Sequence, residues 1–296
     1  MATKQSLLRL IKLVHGMVDN ADLGKQRQSQ DQIGELIGHS KDLSFRSIDI
    51  DGLRCEWVSL NRAHVHKQVI LHCHGGGYST GSSLYARTLT SKLAACTAME
   101  VLSFDYRLAP EHPFPAQLED AMKVWDYLMK IGYGARDVIV TGDSAGGNLA
   151  LTLTLKLKEQ GRFLPRGLVL MSPWTDLTSS GDSFLGKKDL DPVLSPAYIN
   201  RIVHDYTKGA RIDDPYVSPL FGDFTGFPPT YVQVGENEIL LDDSTRLVER
   251  MKAAGVVAKL DIFPGMWHVF QMAPFKTAYE AMDKNVGFII DELMHF

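Results

Sequence analysis

Between an apolar run at 138–141 and a stretch of helical periodicity at 144–159 stands Gly142-Asp143-Ser144-Ala145-Gly146-Gly147. A serine at so short a strand-to-helix junction is forced into a strained backbone conformation that exposes its hydroxyl. Neighbouring backbone must then pass close by, and Gly142, Ala145, Gly146 and Gly147 leave room for it. The helix that follows offers free N–H groups and the positive end of its dipole, so negative charge developing beside Ser144 is favoured. The string alone fits a glycine-rich turn with an N-cap serine equally well; the strand before it and the helix after it favour the strained turn.

The same alternation runs along most of the chain. Short β-rich runs at 45–50 and 54–60 flank the turn residues Asp51-Gly52, and 69–74 and 101–106 are more continuously apolar, as in strands buried on both faces. A helix is predicted at 118–131, strands at 138–141, 167–171, 231–234 and 258–263, a helix at 243–254 closed by Gly255, and a last helix at 277–294. This pattern predicts an α/β fold with a mostly parallel sheet of about eight strands and helices on both faces. Between 178 and 229 the alternation stops. Pro192, Pro196, Pro215, Pro219, Pro228 and Pro229 frame one helical piece at 197–207, so an inserted element is expected there. Ahead of the main domain, Leu7, Leu8, Ile11 and Val14 sit at helical spacing, 24–31 is polar, and Ile33, Leu36 and Ile37 resume the pattern, which predicts two short helices.

Composition removes several classes. A chain of 296 residues, 45% hydrophobic and 22% charged, is of the ordinary globular kind. Its 31 Lys and Arg against 35 Asp and Glu give a net charge of −4 with no basic run, so nucleic acid is not an expected partner. Cys55, Cys73 and Cys96 are odd in number and lack CxxC spacing; they are expected to be small buried residues, not disulfides or zinc ligands. Arg9 and Lys12 interrupt the N-terminal apolar run and no small-residue cleavage site follows, so no signal peptide is expected. No stretch approaches the roughly 18 apolar residues of a spanning helix. The reading is a cytoplasmic protein without a membrane span.

A second glycine cluster, His74-Gly75-Gly76-Gly77-Tyr78, follows the apolar run at 69–71 and leaves backbone N–H groups free to point into a cleft. Gly76 and Gly81 have the separation of a phosphate loop, but Ser82 stands where its lysine belongs. His72 and His74 share a strand face without an accompanying carboxylate or cysteine cluster, so no metal is expected. A serine hydroxyl attacks only when a base takes its proton. Of ten histidines, His15, His39, His64, His66 and His295 lie in polar stretches or near the termini. His268 lies between the last strand and the last helix, on a loop that can return across the carboxyl edge of the sheet. Its orienting carboxylate is sought after the strand at 231–234, where Glu236, Glu238, Asp242 and Asp243 stand; Asp242 or Asp243 is expected to cap the next helix.

Together, His74-Gly75-Gly76-Gly77, Asp105-Tyr106-Arg107-Leu108-Ala109-Pro110-Glu111 and Gly142-Asp143-Ser144-Ala145-Gly146 resemble the hormone-sensitive lipase family of α/β-hydrolase carboxylesterases. The resemblance runs from about residue 43 to the C-terminus. It implies an eight-stranded α/β-hydrolase domain at 43–296 with a helical cap built from 1–42 and an insertion at about 178–229. It further implies a serine esterase, commonly bacterial, that prefers short acyl esters, needs no cofactor and often forms homodimers. Carried onto this chain, Ser144 is the nucleophile, His268 the general base and acid, and Glu238 the third member, where many relatives have aspartate. Gly75, Gly76 and Ala145 would supply the oxyanion hole. Tyr78 and Trp174 flank the catalytic edge and are candidates for substrate binding, although aromatic residues there are more often core. Arg107 and Glu111 are expected to make structural polar contacts. An amidase or lipase using the same triad is the alternative function, since ester and amide cleavage share a tetrahedral oxyanion. A non-catalytic ligand-binding relative is a further alternative, disfavoured by the retention of His268 and an acid.

Overall fold

The computed structural model describes residues 22–37, 42–62 and 67–294. A helix, α1 (Leu23–Ile37), precedes a hairpin of β1 (Leu43–Ile50) and β2 (Leu53–Leu60). Asp51 and Gly52, both at positive φ (50° and 84°), make its two-residue turn, the geometry that matches the natural twist of paired strands. Strands and helices then alternate through β3 (Val69–Cys73), α2 (Ser83–Thr97), β4 (Glu100–Phe104), α3 (Ala116–Lys130), β5 (Val138–Asp143), α4 (Ala145–Glu159) and β6 (Gly167–Met171). An inserted stretch carries α5 (Pro196–Thr207), after which β7 (Thr230–Gly235), α6 (Leu241–Ala253), β8 (Ala258–Phe263) and α7 (Lys276–Gly287) complete the chain.

The eight strands form one sheet in the order β1-β2-β4-β3-β5-β6-β7-β8. β2 runs antiparallel to both its neighbours, and from β4 to β8 every pairing is parallel. Successive residues of a strand face opposite sides. Val138 and Val140 of β5 therefore join one core with Trp125 of α3, Leu149 of α4 and Leu247 of α6, while Ile139 joins the other with Leu93 of α2 and Met282 of α7. Each fully buried Leu, Ile or Val contributes about 1.5–3 kcal/mol. From β3 the chain crosses one way through α2 to β4, and from β5 it crosses the other way through α4 to β6. The strand order reverses between β3 and β5, which opens a crevice at their carboxyl ends, where His74–Tyr78 and Ser144 emerge.

Several expectations change in the structure. The sequence reading does not contain α2. Ser82 caps that helix by accepting from the Tyr85 N–H at 3.1 Å, but it ends at Ala98 in the left-handed conformation (φ 56°) usually left to glycine, so no ordinary stop signal marks it. α1 begins at Leu23 and includes the polar stretch read as a gap, because Gln26, Ser29 and Gln30 face a cavity, as shown below, while Arg27 and Asp31 bond to Glu111 and Ser82. Asp242 and Asp243 do not cap α6. That helix starts at Leu241; Asp243 instead accepts from the Thr175 and Asp176 N–H groups at 2.7 and 2.8 Å, and Asp242 from the Ser183 N–H at 2.8 Å. The last helix turns π-helical over Phe288–Leu293. Cys55 and Cys73 are buried as expected, whereas Cys96 is exposed. Arg107 forks onto Asp120 at 2.9 Å, and Glu111 receives Arg27 of α1 at 2.8 Å, so both are structural. Arg27 also donates to the carbonyls of Ser79 and Ala109 at 2.8 and 2.9 Å, and Gly34 of α1 lies where a Cβ would come 2.1 Å from the Leu84 carbonyl oxygen. The helix expected around 7–14 and the histidines 15, 39, 64, 66 and 295 lie outside the described residues.

Candidate active site

Ser144 occupies the turn between β5 and α4 with φ 54° and ψ −121°, a strained conformation for a residue with a side chain. The strain is held by crowding. A Cβ on Gly142 would come 2.3 Å from the Gly146 carbonyl oxygen, and one on Gly146 would come 2.0 Å from that of Cys73. The Ser144 N–H donates to the Met171 carbonyl and the Trp174 N–H to the Ser144 carbonyl, both at 3.0 Å, which ties the turn to the end of β6.

Three loops from the same edge of the sheet converge on this serine. His268, after β8, places Nε2 2.9 Å from Ser144 Oγ, and its Nδ1 lies 2.9 Å from Oε2 of Glu238, after β7. Glu238 is fully buried, and its Oε1 accepts from Ser172 Oγ at 2.7 Å and from the Gly235 N–H at 2.5 Å. Ser172 Oγ in turn accepts the Val269 N–H at 3.1 Å, so one hydroxyl links the acid to the histidine loop. Sequence reasoning missed Ser172; only its place at the end of a strand on this edge could have suggested it. Of the other acids weighed, Glu236 accepts the exposed Gly265 N–H at 2.7 Å and braces the histidine loop without reaching the imidazole.

An ionised Glu238 accepts from Nδ1–H and thereby leaves the Nε2 lone pair for the Ser144 hydroxyl proton. Burial pulls the His268 pKa down, but the hydrogen bond it donates to Glu238 and the charges of Glu238, Asp191 and Asp143 outweigh it, and the net shift is upward. A base works only when neutral, so kcat/KM for an ester is expected to rise with pH along a limb whose midpoint lies above the ordinary imidazole value of about 6.5. A midpoint below that value, in a profile of p-nitrophenyl ester hydrolysis, would contradict this environment.

The expected oxyanion donors need one correction. The Gly75 N–H is consumed by Asp143 Oδ1 at 3.0 Å and is not available to a ligand. Gly76 and Gly77 instead line the cavity beside Ser144, at φ 109° and 62°, and nothing among the described residues accepts their N–H groups or that of Ala145. A Cβ on Gly76 would come 2.3 Å from the Thr80 carbonyl oxygen, so the loop is shaped around missing side chains. The cavity measures about 450 Å³. Trp174, Leu194, Ile199, Leu240, Trp267 and Met272 give it an apolar wall; Gln26, Ser29 and Gln30 of α1, with Thr80 and Thr88, give it a polar one, and among the described residues no Asp, Glu, Lys or Arg lines it. Trp174 is thus at the site, while Tyr78 is not. Its ring is buried behind the glycine loop, stacked on Tyr206 at 4.1 Å with its hydroxyl donating to Asn148 Oδ1 at 2.8 Å.

His72 and His74 have local duties. His72 Nδ1 meets Thr141 Oγ1 at 2.9 Å; His74 stacks on Tyr106 at 4.0 Å and donates from Nδ1 to the Gly75 carbonyl at 2.7 Å, and burial lowers its pKa. Among the described residues no group of three His, Cys, Asp or Glu could hold a metal, and no helix is long and apolar enough to cross a membrane.

A fold with this sheet order, and with a serine, a histidine and an acid delivered by the loops after β5, β8 and β7, defines an α/β-hydrolase. Residues 70–272 match the family described as having the α/β-hydrolase fold. An esterase of Acinetobacter venetianus is 41% identical over 255 residues, covering 85% of this chain and 84% of that one. An acetyl-hydrolase of Streptomyces hygroscopicus is 34% identical, covering 85% and 83%. The crystal structure of an esterase from the bacterial hormone-sensitive lipase family superposes with a TM-score of 0.90 at 34% identity, covering 99% of this chain and all of the other. The chain belongs to the α/β-hydrolase family, in its hormone-sensitive lipase group of carboxylic ester hydrolases.

Proposed function

We propose that Ser144, His268 and Glu238 are the catalytic triad of a serine carboxylesterase that acts on short acyl esters. The observation that carries this reading is the continuous hydrogen-bond chain from Ser144 Oγ through His268 to Glu238 at the wall of an uncharged cavity. His268 takes the Ser144 proton as Oγ attacks the ester carbonyl, and a C–O bond forms. The carbonyl oxygen becomes an oxyanion, for which the free N–H groups of Gly76, Gly77 and Ala145 are the donors; one such donor contributes about 2.7–4 kcal/mol. The imidazolium then gives its proton to the departing alkoxide, leaving an acyl-serine. Water repeats the sequence, with His268 again as base, and releases the acid. No cofactor is required by these steps.

The helical cap is part of this proposal. α1 and the inserted stretch at 178–229 contribute Gln26, Ser29, Gln30, Tyr198, Ile199 and Ile202 to the cavity lining, which supports their reading as a cap over the catalytic domain. A cavity of about 450 Å³ suits a small substrate. The free thiols of Cys55, Cys73 and Cys96 support a reducing, cytoplasmic setting. A series of p-nitrophenyl esters, run beside a p-nitroanilide, tests the substrate class. The highest kcat/KM is expected at acyl chains of roughly two to eight carbons. A preference for long chains, or for the anilide over every ester, would replace the reading with a lipase or an amidase.

A further inference from the structure

The inserted stretch does more than wall the cavity. Asp191, between its short helical turn and α5, is 3% exposed, and both carboxylate oxygens are occupied by backbone. Oδ1 accepts the Val193 and Leu194 N–H groups at 2.9 and 3.0 Å; Oδ2 accepts the Ile239 N–H at 3.0 Å. Val193 and Leu194 line the cavity, and Ile239 is the residue after Glu238. One side chain therefore joins the substrate wall to the loop that carries the acid. A buried carboxylate without a cationic partner is costly, and no Lys or Arg pairs with Asp191 among the described residues. The cation whose charge it does act on is the imidazolium that forms when His268 takes a proton.

We propose that Asp191 is a positioning residue for the triad, holding the Ile239 amide so that Glu238 meets His268 and supplying a second negative charge for the imidazolium. Three carboxylates act on His268 from three elements: Glu238 after β7, Asp191 on the inserted stretch and Asp143 at the end of β5. The Asp191 charge adds to the upward shift of His268, while burial raises the carboxyl group of Asp191 itself. Other bonds hold the inserted stretch to the acid loop without it. Ser183 Oγ donates to the Ile239 carbonyl at 2.8 Å, and the Asp242 N–H donates to Ser183 Oγ at 3.0 Å. Loss of the Asp191 charge is therefore a local change.

The proposal rests on the triad reading above, and its test separates the two. Asp191→Asn cannot present acceptors to all three amides and carries no charge. With p-nitrophenyl butyrate, kcat is expected to fall about ten- to a hundredfold, as for a catalytic group displaced by about 1 Å, while KM changes little. The limb of the pH profile is expected to move to lower pH, because the imidazolium has lost a neighbouring anion. A fall in kcat with an unmoved limb marks a merely structural residue and overturns the proposal, as does a wild-type kcat. Asp191→Glu keeps the charge but is one methylene longer, so it is expected to lower kcat and leave the limb in place. If Asp191→Asn does not fold, this variant decides, and a wild-type kcat or a displaced limb overturns the proposal. Glu238→Gln is measured alongside. If it is crippled while the Asp191 variants behave as wild type, this proposal alone fails; if it is fully active, the triad reading fails and takes this proposal with it.

Discussion

Ser144→Ala is expected to end acyl-enzyme formation and to lower kcat on the order of a millionfold, leaving only what binding and the oxyanion donors provide. The size follows from the arrangement at the turn. Oγ is the hydroxyl that meets His268 Nε2, and alanine removes it without relieving the crowding around Gly142 and Gly146 that holds the backbone. The fold should therefore survive, and the variant's circular dichroism melt should match the wild type. His268→Ala should be about as damaging, because members of one proton-transfer unit do not add. A fluorophosphonate probe that labels the wild type at any residue other than Ser144 would sink the assignment.

Glu238→Gln is expected to cost on the order of ten-thousandfold in kcat. The amide can still occupy the space beside His268, but an amide N–H facing Nδ1 stabilises the tautomer whose proton sits on Nε2, and that tautomer cannot accept from Ser144. Loss of the charge also removes the largest upward influence on the imidazole, so any residual activity should persist to lower pH than in the wild type. Glu236→Gln, whose partner is an exposed backbone N–H, should lose little. Asp242→Asn should act through the Ser183 contact, on stability more than on chemistry. If Asp242→Asn or Asp243→Asn proves to be the crippled variant while Glu238→Gln turns over normally, the third member of the triad has been misassigned.

Legibility in the sequence followed how local each cause is. The strained turn at Ser144 is written in its own neighbours, since Gly142, Gly146 and Gly147 have no room for side chains; strands buried on both faces are equally plain from their mostly apolar runs. The choice among oxyanion donors is not local. Which N–H of Gly75, Gly76 and Gly77 stays free depends on a carboxylate from another strand, because Asp143 reaches across from β5 to take that of Gly75. The same distinction explains Asp242 and Asp243. Their own helix offered them unpaired N–H groups, but partners some sixty to seventy residues away in sequence claimed both carboxylates: Thr175 and Asp176 after β6 hold Asp243, and Ser183 in the inserted stretch holds Asp242. Helix α2 escaped because its stop is an alanine in a glycine conformation and its interior is rich in Ser and Thr.

Gln26, Ser29, Gln30 and Ile33 fall at helical spacing along one face of α1, and that face borders the cavity. The helix lies outside the matched stretch 70–272 and is fastened to the rest by Arg27 and by the close seat of Gly34. Part of the cavity wall is thus carried on a length of sequence separate from the one that carries Ser144, Glu238 and His268. Those four codons can change, and with them one side of the cavity, while Ser144, His268 and Glu238 stay where they are. For the engineer the same separation defines a small library: randomise those four positions, keep Arg27 and Gly34, and any change in substrate preference can be read without rebuilding the catalyst.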